Sequence, residues 1–163
     1  MHASAALGST LFIHGGRDAS YSLCDLWSLQ LLLHHEASGD GAFKTSAGHY
    51  FLWSSLDSKT MSSGICAHTM VVYNLSLLLY GGIIENSVSN AAWKCSLSPS
   101  GEWADLELSS SIPPKFGHSM AILTSQADGS LHQVVIVAGM SLDPEDSSMI
   151  ILHLSSSMCS KES

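Results

Sequence analysis

A chain of 163 residues is long enough for one ordinary core, and 45% apolar against 12% charged residues excludes disorder over most of it. Fourteen acidic residues against six basic ones leave a net charge of −8, and Arg17 is the single arginine. Nucleic-acid backbones need clustered basic side chains, so direct binding to DNA or RNA is not expected.

The four cysteines are Cys24, Cys66, Cys95 and Cys159, with no C-x-x-C spacing. Cys24 and Cys95 fall at nearby points of an internal repeat, which reads as small buried thiols in a reducing compartment rather than a disulfide framework. Met1-His2-Ala3-Ser4 has neither the basic region nor the long apolar run of a signal peptide. The apolar stretch from Met70 to Tyr80 is broken by Asn74 and is too short to span a bilayer. The expectation is a cytoplasmic chain, with the nucleus as a second location and no membrane attachment.

From the N-terminus, Gly15 and Trp27 follow His2 at the same two spacings at which Gly81 and Trp93 follow His68. A second register links the tryptophans to the histidines, since the interval from Trp53 to His68 equals that from Trp103 to His118. All four tryptophans thus fall into equivalent pairs, which marks a repeat. The unit length is the interval from His68 to His118; the longer interval from His2 to His68 implies a 16-residue insertion between Leu32 and Tyr50. That insertion is polar and glycine-containing, and it is expected to be a surface loop.

Three apolar runs end on glycine: Leu11-Phe12-Ile13-His14-Gly15-Gly16, Leu77-Leu78-Leu79-Tyr80-Gly81-Gly82 and Val134-Val135-Ile136-Val137-Ala138-Gly139. In the third unit, the interval from His118 to Gly139 is half as long again as that from His68 to Gly82, and the excess fits an extended hairpin turn over residues 125–130. After Gly139 the register resumes, since Ile150 follows it at the spacing at which Trp27 follows Gly16 and Trp93 follows Gly82. Within the second unit four strands are expected, over 69–73, 77–80, 91–97 and 103–108, joined by turns at Asn74 and at Pro99-Ser100-Gly101. The units divide the chain into 1–66, 67–116 and a partial copy at 117–154 without a fourth strand; the serine-rich 155–163 reads as a frayed tail.

A histidine, an apolar strand ending in Gly-Gly, a tyrosine and a tryptophan, repeated at this near-constant interval, resemble the kelch motif. His2, Gly15, Gly16, Tyr21, Trp27 and Trp53 carry it in the first unit, and His68, Gly81, Gly82, Trp93 and Trp103 in the second. The third retains His118 and Gly139, with Ala138 in place of the first glycine, and Ser87 stands where Tyr21 would align. The resemblance implies an all-β fold of kelch-type β-propeller blades, each a four-stranded antiparallel sheet, in an incomplete propeller. Propellers use about four to eight blades, so a longer chain or a second copy of this one would supply the rest. The tryptophan–aspartate repeat class is disfavoured because none of the four tryptophans is followed by aspartate.

The repeated histidines read as structural rather than as metal ligands, and adjacent His34 and His35 would point to opposite sides of an extended segment. Gly15-Gly16-Arg17-Asp18 lacks the Lys-Ser pair and helix of a phosphate loop, and no G-x-S-x-G occurs. The expectation is therefore no catalytic residue, no metal and no cofactor. By the kelch resemblance, the partner-facing loops would present Arg17, Asp18, Glu85, Asn86, Asp143, Glu145 and Asp146, with Lys115 ahead of the third unit. The implied function is a non-enzymatic protein-interaction module within a larger scaffold or adaptor. The alternative, suggested by Gly-Gly-Arg with Asp25-Leu26-Trp27, is the accessory kelch region of a carboxyl methyltransferase-like enzyme of tRNA wybutosine synthesis.

Overall fold

The computed structural model describes residues 1–32, 41–56, 61–99, 101–108, 112–124, 132–142 and 149–154. Among these every regular element is a β-strand, and the strands pair antiparallel into four sheets, none closed into a barrel. No helix among the described residues is long and apolar enough to cross a membrane.

The first sheet contains β1 (Ala3–Leu7), β2 (Thr10–Arg17), β3 (Ser22–Leu32), β4 (Ala42–Lys44) and β5 (Tyr50–Ser55), in the order β1-β2-β3-β5-β4. A small sheet joins β6 (Ile65–Cys66) to the hairpin β9 (Ile83–Ile84) and β10 (Ser87–Val88). The second large sheet is built from β7 (Thr69–Tyr73), β8 (Ser76–Tyr80), β11 (Ala92–Ser96) and β12 (Trp103–Leu106), in the order β12-β11-β8-β7. The third has β13 (Ser119–Thr124), β14 (His132–Val137) and β15 (Ile150–Leu154).

The unbroken apolar run of β8 has a simple cause: every residue of the strand is buried, because it is covered on both faces. Successive side chains alternate between faces. Leu77 and Leu79 pack towards the first sheet, with Phe12, Leu26 and Met70 around Leu77 and Ile65 beside Leu79. Leu78 and Tyr80 pack towards the third, with Val134, Ile136 and Ile150. A fully buried leucine contributes about 2 kcal/mol relative to an exposed one, so this one strand binds two junctions together. The first strand of the second sheet is equally central, since β7 lies against both β1 and β13.

Two features depart from the sequence expectation. Part of the first-unit insertion is a strand: β4 pairs with β5, Phe43 stacks on Phe51 with ring centroids 5.6 Å apart, and Lys44 sits over the Tyr50 ring. The open edge of β5 offers unpaired backbone groups, and β4 takes them. The residues 33–40 of the insertion, the expected turn at 125–130 and the tail lie outside the described residues. The small sheet has no counterpart among the expected elements, because its strands are too short to carry a period. Its tight turn holds Glu85 and Asn86 at φ 49° and 66°, as a hairpin with two turn residues demands.

Candidate functional site

Each double glycine seats a histidine-bearing segment on either side. A Cβ at Gly15 would lie 2.6 Å from the Ile65 carbonyl and 3.1 Å from Cε1 of His68; one at Gly81 would meet the Lys115 carbonyl and approach Cε1 of His118 to 2.9 Å. The first glycine therefore makes room for the next unit, at φ values of 56° and 66°. The second makes room for its own unit: Gly16 faces His2, Gly82 faces His68 and Gly139 faces His118.

The residue before each double glycine completes the junction. His14 is fully buried, and its Nδ1 lies 3.1 Å from Nε2 of His68, one ring donating and the other accepting. In the next unit Tyr80 stands at this place; its ring meets His118 edge-on at 5.3 Å and its hydroxyl donates to the Pro113 carbonyl at 2.6 Å. His118 Nε2 lies 2.6 Å from Oγ1 of Thr69. Burial pushes His14 down to about pKa 4, opposed by the Asp25 carboxylate and the Cys24 carbonyl. It pushes His68 to about 3, helped by the neighbouring histidines, with His14 the strongest, and the N-terminus. His118 falls to about 4, again chiefly by burial. All three are neutral imidazoles at pH 7.

The leading ends of β1, β7 and β13 converge. Residues 1–4, 67–70 and 117–120, equivalent in the three units, line one cleft of about 440 Å³. Backbone bonds tie them in sequence, the Ala67 N–H donating to the Met1 carbonyl at 3.1 Å and the Gly117 N–H to that of Ala67 at 2.8 Å. No carboxylate, lysine, arginine or cysteine lines this cleft among the described residues; its polar side chains are hydroxyls and histidines. A second, mainly apolar cavity of about 400 Å³ lies between the second and third sheets, among Leu78, Tyr80, Leu106, Val134 and Ile150. Among the described residues no group of three or more His, Cys, Asp or Glu could hold a metal ion.

The strand registers bring the cleft and the post-glycine turns to one end of the sheets, since Ala3 pairs with His14, Thr69 with Tyr80 and Ser119 with Val137. Arg17, Asp18, Glu85 and Asn86 are exposed at that end. Asp18 closes its turn: Oδ1 accepts from the Tyr21 and Ser20 N–H groups at 2.8 and 2.6 Å, and these bonds lower its pKa. Lys115 requires a correction. Expected on a partner-facing loop, it is 1% exposed; its carbonyl accepts from the Gly82 N–H and its own N–H donates to the Ser89 carbonyl, which hold this segment against the second unit rather than in solvent. Asp143, Glu145 and Asp146 lie outside the described residues.

Of the repeat positions, His68 and His118 are buried, whereas His2 and Tyr21 are exposed. Trp93 and Trp103 pack between the first and second sheets; Trp27 and Trp53 stack on each other at 5.7 Å on the first sheet. Cys24, Cys66 and Cys95 form no disulfide among the described residues, Cys24 being only half-buried and the Cys95 thiol donating to the Ser96 carbonyl; Cys159 is outside the described residues. Sequence reasoning passes over His14 because it lacks a ligand-spaced partner. Its signal is positional, since it and Tyr80 share the place before the double glycine.

No family model matches the chain, and no curated protein matches it. Among solved structures there are 103 matching chains. One, described as "Structure of YjhT", is similar with a TM-score of 0.58 at 17% identity over 86% of this chain. This chain spans 34% of that one, so the likeness is one of fold over a third of the neighbour's length.

Proposed function

We propose that the chain is a non-enzymatic protein-binding module, its three large sheets being kelch-type blades of a partial β-propeller that serves a larger scaffold or adaptor. The observation that supports this reading most is the junction of double glycine and histidine, made once at Gly15–His68 and again at Gly81–His118. The convergence of β1, β7 and β13 is what inner strands of successive blades would do. The unbridged thiols of Cys24 and Cys66 suit a reducing compartment, the cytoplasm or nucleus.

The binding face on this reading is the end that carries the cleft and the turns at Arg17-Asp18 and Glu85-Asn86. Exposed carboxylates there and a net charge of −8 favour a basic or neutral protein partner. Proximity labelling in cells, followed by capture on purified Asp18→Lys/Glu85→Lys protein, tests this face. Partners of the unaltered chain are expected to bind the double variant at least about tenfold more weakly, through lost charge complementarity. They are expected to keep binding Leu75→Lys, at an exposed hairpin tip off that end. Equal capture by all three proteins would refute the assignment.

A further inference from the structure

The junctions between the first and second sheets and between the second and third use equivalent places but fill them to different extents. In register from Gly16, Gly82 and Gly139, Leu78 stands in the second junction where the first has Phe12, Ala92 where it has Leu26, and Val134 where it has Leu77. Ile150 likewise takes the place of Trp93. Each of these exchanges puts a smaller side chain into the second junction. Tyr80 for His14 and Leu152 for Cys95 are the larger exchanges, and the Tyr80 hydroxyl is taken by the Pro113 carbonyl. The remaining difference in volume is the cavity of about 400 Å³ between the second and third sheets, on whose wall Leu78, Ala92, Val134 and Ile150 all lie.

The chemistry of this cavity narrows what it can hold. Among its described lining residues only Tyr80, Glu107 and His153 have polar side chains, and Glu107 and His153 are exposed, which leaves the interior apolar. Water there would find too few hydrogen-bond partners. The space between two facing sheets is a slot, which suits a flat molecule, and the Met120 thioether and the Tyr80 ring on its wall are good neighbours for an aromatic one. The first junction shows such an occupant: the Trp103 indole packs between its sheets, tilted over His14 with ring centroids 4.9 Å apart. In register the counterpart of Trp103 is Ser160, which carries no ring and lies outside the described residues.

We infer that the cavity between the second and third sheets is a binding site for a small, uncharged, flat aromatic molecule, which supplies the ring that a tryptophan supplies in the first junction. Its volume lies within the range of small-molecule sites. The ligand is held by burial of its faces against apolar side chains and needs no hydrogen bond from the interior. This is a different cavity from the cleft at the leading ends of β1, β7 and β13, although Met120 borders both. The inference does not rest on the protein-binding reading.

Titration of the purified full chain with indole, followed by amide NMR, tests the inference. Saturable shifts are expected, with a dissociation constant at or below about one millimolar. The thermal midpoint is expected to rise with indole concentration, because the ligand binds the folded chain alone. Ala92→Leu and, independently, Val134→Leu restore the side chains of the first junction; each is expected to keep the fold by circular dichroism and to weaken indole binding at least about tenfold by filling the slot. Leu75→Ala, outside the cavity, is expected to bind indole like the unaltered chain. Benzoate, flat but charged, is expected to bind at least about tenfold more weakly than indole, since its carboxylate would lose water without a partner inside. Unshifted spectra with an unmoved midpoint, an affinity unchanged in both filled variants, or equal binding of benzoate would each overturn the inference. None of these touches the partner-capture result, so the binding-module reading stands or falls separately.

Discussion

Gly81 shows how one residue couples two units. It holds φ 66°, which costs an L-residue roughly 1–2 kcal/mol, and a Cβ there would run into the Lys115 carbonyl, a backbone atom that cannot swing aside. Gly8 has a similar φ of 57° but nothing within 4 Å. Gly81→Ala is therefore expected to lower the unfolding free energy by roughly 3 kcal/mol and Gly8→Ala by about 1 kcal/mol. Urea denaturation of the two variants isolates the close approach from the backbone term, and equal losses would contradict it. The glycine pair is legible in the sequence as a motif. What it makes room for is not, because the Lys115 carbonyl belongs to the segment that leads into the following unit, far from Gly81 along the chain.

At the scale of elements, β8 is the strand on which two packing layers depend. Leu79 is 1% exposed and packs with Ile65 and Met61 on the face towards the first sheet. Leu79→Ala is expected to cost about 2–5 kcal/mol, since the neighbouring backbone is too constrained to collapse into the space. Leu75→Ala, at the exposed tip of the same hairpin, is expected to cost less than about 0.5 kcal/mol. Calorimetric or urea unfolding of both distinguishes the buried strand from its turn. The longer strands of the second unit sit close to their sequence-based positions because apolar runs and turn residues bracket them. The very short strands β6, β9 and β10 have no such pattern, and β4 exists because β5 leaves an edge to pair.

For the whole molecule, the buried histidines make stability depend on pH. His14, His68 and His118 titrate near 4, 3 and 4 in the folded chain, against 6.5 when exposed. The unfolded chain takes up these protons first, so stability is full above about pH 6.5 and falls as pH drops towards the folded values. Each histidine contributes about 1.4 kcal/mol per pH unit within that window. Urea midpoints are expected to be level from about pH 8 to 7 and to decline steeply from about 6 to 5, where exposed carboxylates are still ionised. A flat profile over that lower range would show that the junction histidines are not neutral by burial.

The sequence by itself determined the all-β character and the recurrence of apolar strands that end on glycine, because these depend on local alternation, turn residues and spacing. Tertiary structure alone decided that Lys115 is buried and that His14 bonds His68. Those facts arise where one unit meets another, and residues far apart in the chain supply the atoms that touch.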